Sequence, residues 1–292
     1  MVEYIHNVKE GETMTPITNE RVRSVIIWLG FDPDSADLID SLRYTASGRL
    51  RRLFGKNFKC QMGELQAVLT AVMHLAPEKE SGFNTCAFAG ACAEVCIKNT
   101  GQCVTSRALR SRICKTLYFF LFREEFLDQL RMEIRQHIYM AKIKGMRAAI
   151  RLNATSDILW ERMGIIEEFP EVQFYDYTKI PLEKRNPPPN YHLTFSLSED
   201  SKSMGRALSY LKAGHNAAMV VQTLDGMKRG DAKRASQNLV EAGSWNGFPT
   251  FSGDNNDIRF WDPPGSWIVL YAKGPATKDT SGFVQRLPIL NT

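Results

Sequence analysis

The sequence predicts an α/β protein in which a complete or partial β/α barrel follows a helical N-terminal extension. Two observations predict this fold. Short β-type runs alternate with helical or loop segments from residue 147 onward, and the first 60 residues contain apolar positions at helical spacing. A doubly wound open sheet is the alternative, because it shows a similar alternation. We therefore divide the chain into an extension, residues 1–60, and a unit with the cysteine segment and the barrel, residues 61–292.

The extension contains two predicted helices. Residues 19–30 have apolar side chains at helical spacing and end in a glycine. After a turn, Ser35 is placed to cap a second helix over residues 36–44. A helical hairpin is the main interpretation, and a DNA-reading helix-turn-helix is the alternative.

Two further helical segments flank a cysteine-rich stretch. A helix is predicted over residues 63–75, and a polar loop then leads to Cys86. Residues 105–145 are predicted to be helical throughout, with a break near Arg123.

The β-type runs are short and rich in β-branched and aromatic residues, and they cover residues 148–155, 172–178, 191–197, 217–223, 248–253 and 267–274. Helices are predicted between them over residues 158–169 and 203–214. The first four strands are separated by crossovers long enough for βαβ units and a parallel sheet. Residues 254–265 have loop composition, which leaves a different pairing open for the last two strands.

Four of the six cysteines, Cys86, Cys92, Cys96 and Cys103, fall within one short stretch. Thiolates gathered this tightly in an intracellular protein usually hold a metal or a cluster. Zinc knuckles mostly have two or four intervening residues, whereas the intervals here are five, three and six, with largely apolar filler. Apolar filler suits an iron–sulfur cluster, with the 4Fe–4S type as our prediction. Zinc and reduced structural or redox thiols are the alternatives, and Cys60 and Cys114 are predicted to be structural.

Composition predicts a cytoplasmic protein with no membrane partner. Hydrophobic residues make up 43% and charged residues 24% of the chain, which is ordinary for a globular protein. The longest strongly apolar run, residues 117–122, is too short to cross a bilayer, and the N-terminus lacks the pattern of a signal peptide.

Basic residues form local clusters, although the net charge is only +5. Each cluster could face phosphate groups of a nucleic acid, and a solvated helix face is the alternative. The clusters are Arg43, Arg49, Arg51, Arg52, Lys56 and Lys59; Arg107, Arg110, Arg112 and Lys115; and Lys228, Arg229, Lys233 and Arg234.

Polar side chains follow the predicted strands, at the edge of the sheet where chemistry collects in α/β folds. We assign catalytic roles to Asp157 and Lys179. The residues assigned to binding of a small-molecule cofactor or nucleotide are Asn153, Ser156, Asp176 and Ser196. The alternatives are that Asp157 only caps the next helix and that Lys179 is solvated.

Two geometric expectations follow. Arg151 and Asn153 point to the same side of their strand, and a barrel-facing Arg151 would need a carboxylate or a ligand. Asn153, Asp157, Asp176 and Lys179 should share one cleft that opens toward the cysteines, since the carboxyl ends of parallel strands meet at one edge.

Four blocks of the chain, residues 77–101, 149–161, 173–179 and 190–199, resemble in this order a family of bacteriophage proteins, the gene product eighty-eight family. The resemblance implies a phage setting and three shared cysteines, Cys86, Cys92 and Cys96. Cys103 lies where the family more often has an arginine. No reaction is implied.

Three thiolates on a cubane would leave one iron open, which is the logic of radical enzymes that use S-adenosylmethionine. Their usual C-x3-C-x2-C motif differs from the C-x5-C-x3-C spacing here. Their cluster loop also follows the first barrel strand, whereas here helices are predicted on both sides of the cysteines. We expect an iron–sulfur enzyme of phage nucleotide or nucleic-acid metabolism that resembles this class. The alternative is a non-catalytic, metal-stabilised protein that binds nucleic acid or a host factor.

Overall fold

The structure, a computed structural model, describes residues 17–55, 62–224 and 229–288. Its main helices are α1 (Glu20–Trp28), α2 (Leu38–Arg43), α3 (Ser106–Leu121), α4 (Arg123–Ile143), α5 (Ser203–Lys212) and α6 (Arg229–Glu241). Its strands are β1 (Phe54–Gly55), β2 (Val68–Met73), β3 (Arg147–Arg151), β4 (Gln173–Thr178), β5 (Tyr191–Ser196), β6 (Ala217–Thr223), β7 (Ser244–Trp245), β8 (Phe248–Ser252), β9 (Trp267–Tyr271) and β10 (Val284–Leu287).

The strands form one sheet in the order β1-β2-β3-β4-β5-β6-β9-β8-β7, and β10 pairs with β6. β1 and β7, at the two edges, are antiparallel to their neighbours, and every other pairing is parallel. Within the described residues the two edges do not pair with each other, so a closed barrel is not confirmed. The protein is a mixed α/β fold whose sheet, as described, is open.

The main helices pack against one face of the sheet, as the alternation along β5 illustrates. Leu193 and Phe195 point to the same side of this strand. Leu193 belongs to the core that contains Leu117 of α3, and Phe195 belongs to the core that contains Leu211 of α5. On the opposite face, Tyr175 packs in a smaller cluster with residues of the loop after β8. This opposite face leads to the cavity described below.

The helical extension shares the larger of these cores. Ile26 of α1 and Leu42 of α2 are fully buried in one cluster with Leu117 of α3. Asn19 caps α1 by accepting hydrogen bonds from the backbone N–H groups of Arg21 and Val22 at 3.1 and 3.2 Å. The predictions of α1, α2 and the broken helix over 105–145 are confirmed, and the break falls at Phe122 between α3 and α4.

The predicted helix over residues 63–75 is wrong, because Val68–Met73 form strand β2. All six of its residues are buried, since β2 lies between two other strands with both faces covered. Such a strand shows no polar alternation, which makes its pattern resemble that of a buried helix.

The predicted helix over residues 158–169 is reduced to one 3-10 turn, Trp160–Met163, which ends at Gly164 with a φ of 70°. Helix α6 and strand β10 were not predicted. None of the described helices is both long and apolar enough to span a membrane.

Candidate functional site

A cavity of about 530 Å³ lies between the carboxyl ends of the strands and the cysteine segment, residues 84–104. We call it the central cavity. Arg151 at the end of β3, Ser196 at the end of β5 and Tyr271 at the end of β9 line it from the sheet. The cysteine segment lines it from the other side with all four of its thiols, Cys86, Cys92, Cys96 and Cys103.

Cys86 is held by backbone contacts that join two strand ends. The hydroxyl of Thr85 donates to the carbonyl of Ala76, just beyond β2, at 2.6 Å. The carbonyl of Thr85 accepts from the backbone N–H of Asp157, beyond β3, at 2.8 Å. The Cys86 Sγ lies 3.9 Å from the Thr155 carbonyl oxygen. Cys86 is therefore fixed at the ends of β2 and β3.

The middle of the cysteine segment is anchored to the region after β5. The Glu199 carboxylate accepts a hydrogen bond from the backbone N–H of Ala91 at 2.7 Å. Position 90 must be glycine for this approach, because a Cβ there would overlap with Glu199 Oε1. Farther along, Thr100 packs closely against Gly274, which follows β9. The segment thus spans the ends of several strands and covers the cavity.

The thiols are partly buried, and none of those in the described residues forms a disulfide. Burial raises the pKa of the Cys86 thiol to about 11 and also raises the pKa of Cys96. In the described ranges, no group of three or more His, Cys, Asp or Glu side chains is arranged to hold a single metal ion. Cys114 is fully buried in the helical core away from the cavity, and Cys60 lies outside the described residues.

Five of the six predicted polar site residues line the central cavity: Asn153, Ser156, Asp157, Lys179 and Ser196. The sixth, Asp176, does not. Tyr175 and Tyr177 alternate with Asp176 along β4, so Asp176 points to the other side of the sheet. The expectation of one cleft therefore needs correction at this residue.

Asp176 is fully buried and takes part in an internal network. Its carboxylate accepts from the backbone N–H of Asn153 at 2.8 Å and from the Tyr191 hydroxyl at 3.0 Å. Burial raises its pKa to about 7, although the charge of Arg151 and these hydrogen bonds favour ionisation. Its position suits fastening β3 to β4 and β5.

Asp157 fastens the turn after β4. Its carboxylate accepts from the Thr178 hydroxyl and the backbone N–H of Lys179, both at 2.8 Å, and from the backbone N–H of Ile180 at 3.3 Å. The following 3-10 turn has no side-chain cap, so Asp157 does not cap it as the alternative had proposed. Burial raises the pKa of Asp157 against the effect of these donors.

Lys179 is not a solvated loop lysine. Its ammonium group donates to the Leu197 carbonyl at 3.1 Å and lies 4.5 Å from the centre of the Phe283 ring. Burial lowers its pKa, and the nearby thiol of Cys92 and carboxylate of Glu199 act in the opposite direction. The positive charge therefore lies beside the cysteines.

Asn153 and Ser156 organise the loop that begins the cavity wall. The Asn153 side-chain oxygen accepts from the Ser156 hydroxyl at 2.9 Å, from the backbone N–H of Ile158 at 3.0 Å and from the Trp160 indole at 3.1 Å. Its amide donates to the Ile158 carbonyl at 2.9 Å. With so many internal partners, Asn153 shapes the wall.

Arg151 pairs with the carboxylate of Asp257, as a largely buried arginine requires. Its guanidinium donates to Asp257 at 3.0 Å and stacks 4.9 Å from the Tyr177 ring centre, and all three residues line the cavity. Burial opposes ionisation of Arg151, but the charges of Asp257 and the other neighbours raise its pKa. His74, just beyond β2, lines the same wall, and its buried Nδ1 has no hydrogen-bond partner among the described residues. Sequence reasoning missed His74 because β2 was not predicted.

Arg185 was also missed. It is buried, forms an ion pair with Glu161 and donates to the Thr178 hydroxyl at 2.8 Å. Asp157 lies 3.5 Å from the same guanidinium. Neither loop position carries a sequence pattern that predicts this pairing.

Several predicted phosphate-facing residues make internal contacts instead. Arg112 is buried and pairs with Glu80 at 3.4 Å. Lys115 is buried and donates to the Leu53 carbonyl at 3.2 Å, and burial lowers its pKa to about 8. The exposed members of the clusters in the described residues include Arg49, Arg52, Arg107, Lys233 and Arg234.

One comparison with known proteins gives a result. The model of a protein family described as Gene product 88 matches residues 49–287. No curated protein and no solved structure matches the chain.

Proposed function

The chain belongs to the Gene product 88 family, and from this premise and the central cavity we propose that it is an iron–sulfur enzyme. Cys86, Cys92 and Cys96 would bind the cluster, of the 4Fe–4S type. Cys103 lines the same cavity and is the candidate for a fourth ligand. The reaction would take place in the cavity, on a nucleotide or nucleic-acid substrate of phage metabolism.

One observation carries this proposal: the thiols of one sequence segment line the same cavity as Asp157, Lys179 and Ser196. Thiolates of a cluster bind different iron atoms, so they need to surround one space and not to converge on one point. The cavity volume, about 530 Å³, falls within the range of roughly 300–1,000 Å³ typical of small-molecule sites. Soft sulfur donors also suit iron–sulfur clusters.

The order of elements supports a likeness to radical enzymes that use S-adenosylmethionine. β2 is the first strand of the parallel set, and the cysteine segment follows it directly. The predicted helix before the cysteines had argued against this likeness, and that objection no longer holds. The cysteine spacing still departs from the usual motif of those enzymes, so the analogy concerns the fold alone.

The electrostatics of the thiols argue against reactive free thiols and are compatible with a bound cluster. A cysteine whose pKa lies near 11, as burial makes that of Cys86, is protonated at neutral pH and is a poor nucleophile. Binding of iron would displace the proton. Lys179, whose charge lies beside Cys92, would then compensate the negative charge of the thiolates.

Roles for the other residues follow from their contacts. Asp157 would act by holding the backbone of Lys179 in place, which makes it a positioning residue. Asn153 and Ser156 would shape the wall for S-adenosylmethionine or another small ligand. When bound, the cluster would supply one-electron chemistry. A non-catalytic zinc or cluster protein that binds nucleic acid or a host factor is the alternative.

The test is anaerobic purification, with iron, sulfide and zinc counts and an absorption spectrum. We expect iron and sulfide in the wild type and their loss in Cys86→Ala, Cys92→Ala and Cys96→Ala. The iron content of Cys103→Ala shows whether Cys103 is a fourth ligand. Cys114→Ala removes a thiol from the core and is the matched control, which should keep its iron. Equal iron content in wild type and Cys92→Ala would contradict the proposal. A zinc-loaded, colourless protein would favour the alternative.

A further inference from the structure

The ends of β4 and β5 present a set of hydrogen-bond donors to the central cavity. The strand register pairs Thr178 with Phe195, so the next residues, Lys179 and Ser196, lie side by side. Both line the cavity. Two donors thus lie together on one wall.

These donors have capacity left for a ligand. An ammonium group has three N–H bonds, and Lys179 uses one of them on the Leu197 carbonyl. The Ser196 hydroxyl forms no hydrogen bond with another residue in the described part of the chain.

Lys179 also differs from the other cations of the cavity in its counter-charge. Arg151 pairs with Asp257 at 3.0 Å, Lys98 with Glu80 at 3.5 Å and Lys273 with Asp254 at 2.7 Å. Across the described ranges, no carboxylate lies within ion-pair distance of Lys179. The two carboxylates that act on its charge, those of Asp157 and Glu199, accept hydrogen bonds from the backbone N–H groups of Lys179 and Ala91.

We propose that Lys179 and Ser196 form a subsite for an anionic group of the ligand, a carboxylate or a phosphate. Such a group accepts several hydrogen bonds and would pair directly with the ammonium group, which no carboxylate of the described residues does. Phe283, Val220 and Leu270 line the cavity around this point and suit an apolar or aromatic ligand body. The inference extends the proposed function, because the anionic ligand would lie beside the cluster.

Binding is measured by titration calorimetry on full-length protein of known iron content, with two matched pairs of probes. Adenosine 5′-monophosphate against adenosine tests a phosphate, and methionine against methionine amide tests a carboxylate. In at least one pair, we expect the member that carries the phosphate or carboxylate to bind about tenfold more tightly than its partner, with weaker binding at higher salt. The pair that discriminates identifies the anion.

Variants assign this binding to the subsite. Lys179→Met should lose about tenfold in affinity, Lys179→Arg should recover part of it, and Ser196→Ala should lose severalfold. Lys273→Met is the matched control, since its ammonium already pairs with Asp254, and it should bind as the wild type does. If Lys179→Met does not fold, Lys179→Arg and Ser196→Ala carry the test.

Two results would overturn the proposal. One is that probes with and without the phosphate or carboxylate bind equally, or not at all, at millimolar concentration. The other is an unchanged affinity in Lys179→Met and Ser196→Ala. Iron content is read separately. A protein without iron that binds anions through Lys179 contradicts only the proposed function, whereas an iron–sulfur protein indifferent to these variants contradicts only the subsite.

Discussion

The carboxylate of Glu199 lies against the backbone at Gly90 so closely that no side chain fits between them. The same carboxylate accepts the backbone N–H of Ala91 at 2.7 Å. This contact fastens the middle of the cysteine segment, between Cys86 and Cys92, to the end of the sheet. The geometry of the thiols therefore depends on a residue more than 100 positions away in sequence.

Gly90→Ala should displace Glu199 and break its hydrogen bond to Ala91. We expect the free energy of unfolding to fall by about 1–3 kcal/mol, because a charged hydrogen bond is lost. Urea denaturation measures this loss, and iron content shows whether the thiols move. In a Glu199→Ala background the same glycine substitution should cost much less. If Gly90→Ala lowers the free energy of unfolding equally in both backgrounds, the contact between Gly90 and Glu199 does not contribute to stability.

Arg185→Met should destabilise the protein strongly, because it leaves buried Glu161 and nearby Asp157 without their cation. We expect a loss of about 3–5 kcal/mol in the free energy of unfolding. Arg131→Met is the matched control, since Arg131 pairs with Glu168 at 2.8 Å near the surface and should cost about 1 kcal/mol or less. Similar losses in both variants would show that the buried ion pair contributes no more to stability than the one near the surface.

His74 should make stability depend on pH. Burial lowers its pKa to about 3, below the value of about 6.5 in the unfolded chain. Between these values the unfolded state binds more protons, so His74 stabilises the fold above pH 6.5, and this contribution is lost as pH falls toward 3. His74→Gln should therefore lose less stability than the wild type between pH 7.5 and 5.5. Denaturation at pH 7.5 and at pH 5.5 measures this loss of stability in each protein. His215→Gln, which replaces an exposed histidine, is the control. An equal loss in the wild type and in His74→Gln would contradict the assignment.

Nucleic-acid binding, if it accompanies the proposed function, should come from the exposed cluster members. We expect weak affinity that falls with salt, since binding to phosphates releases counterions. Replacing Arg49, Arg52 and Lys233 by glutamine should flatten the slope of log affinity against log salt by roughly 0.9 for each duplex-DNA phosphate that the variant no longer neutralises. Lys212→Gln, an exposed lysine outside the clusters, is the control. Fluorescence titrations that show no binding at low salt would exclude this partner.

The sequence predicts most of the parallel strands because each is a short apolar run between turn residues. Strand β2 was not predicted, because a strand that is buried on both faces lacks the alternation of polar and apolar residues. Asp176 was placed in the cavity by its nearness to Lys179, although strict alternation with Tyr175 and Tyr177 assigns it to the opposite face. Arg185 could not have been found, since its pairing with Glu161 joins two loops that only the tertiary fold brings together.

The central cavity is built from both halves of the chain, and this sets an order of events during synthesis. Cys86 emerges from the ribosome early, whereas Phe283, which packs over Lys179 at 4.5 Å, emerges nearly 200 residues later. Until then the cavity that the thiols line lacks the part of its wall that Phe283 supplies. Any group held by Cys86, Cys92 and Cys96 would therefore be fully enclosed only once Phe283, the residue before β10, is in place.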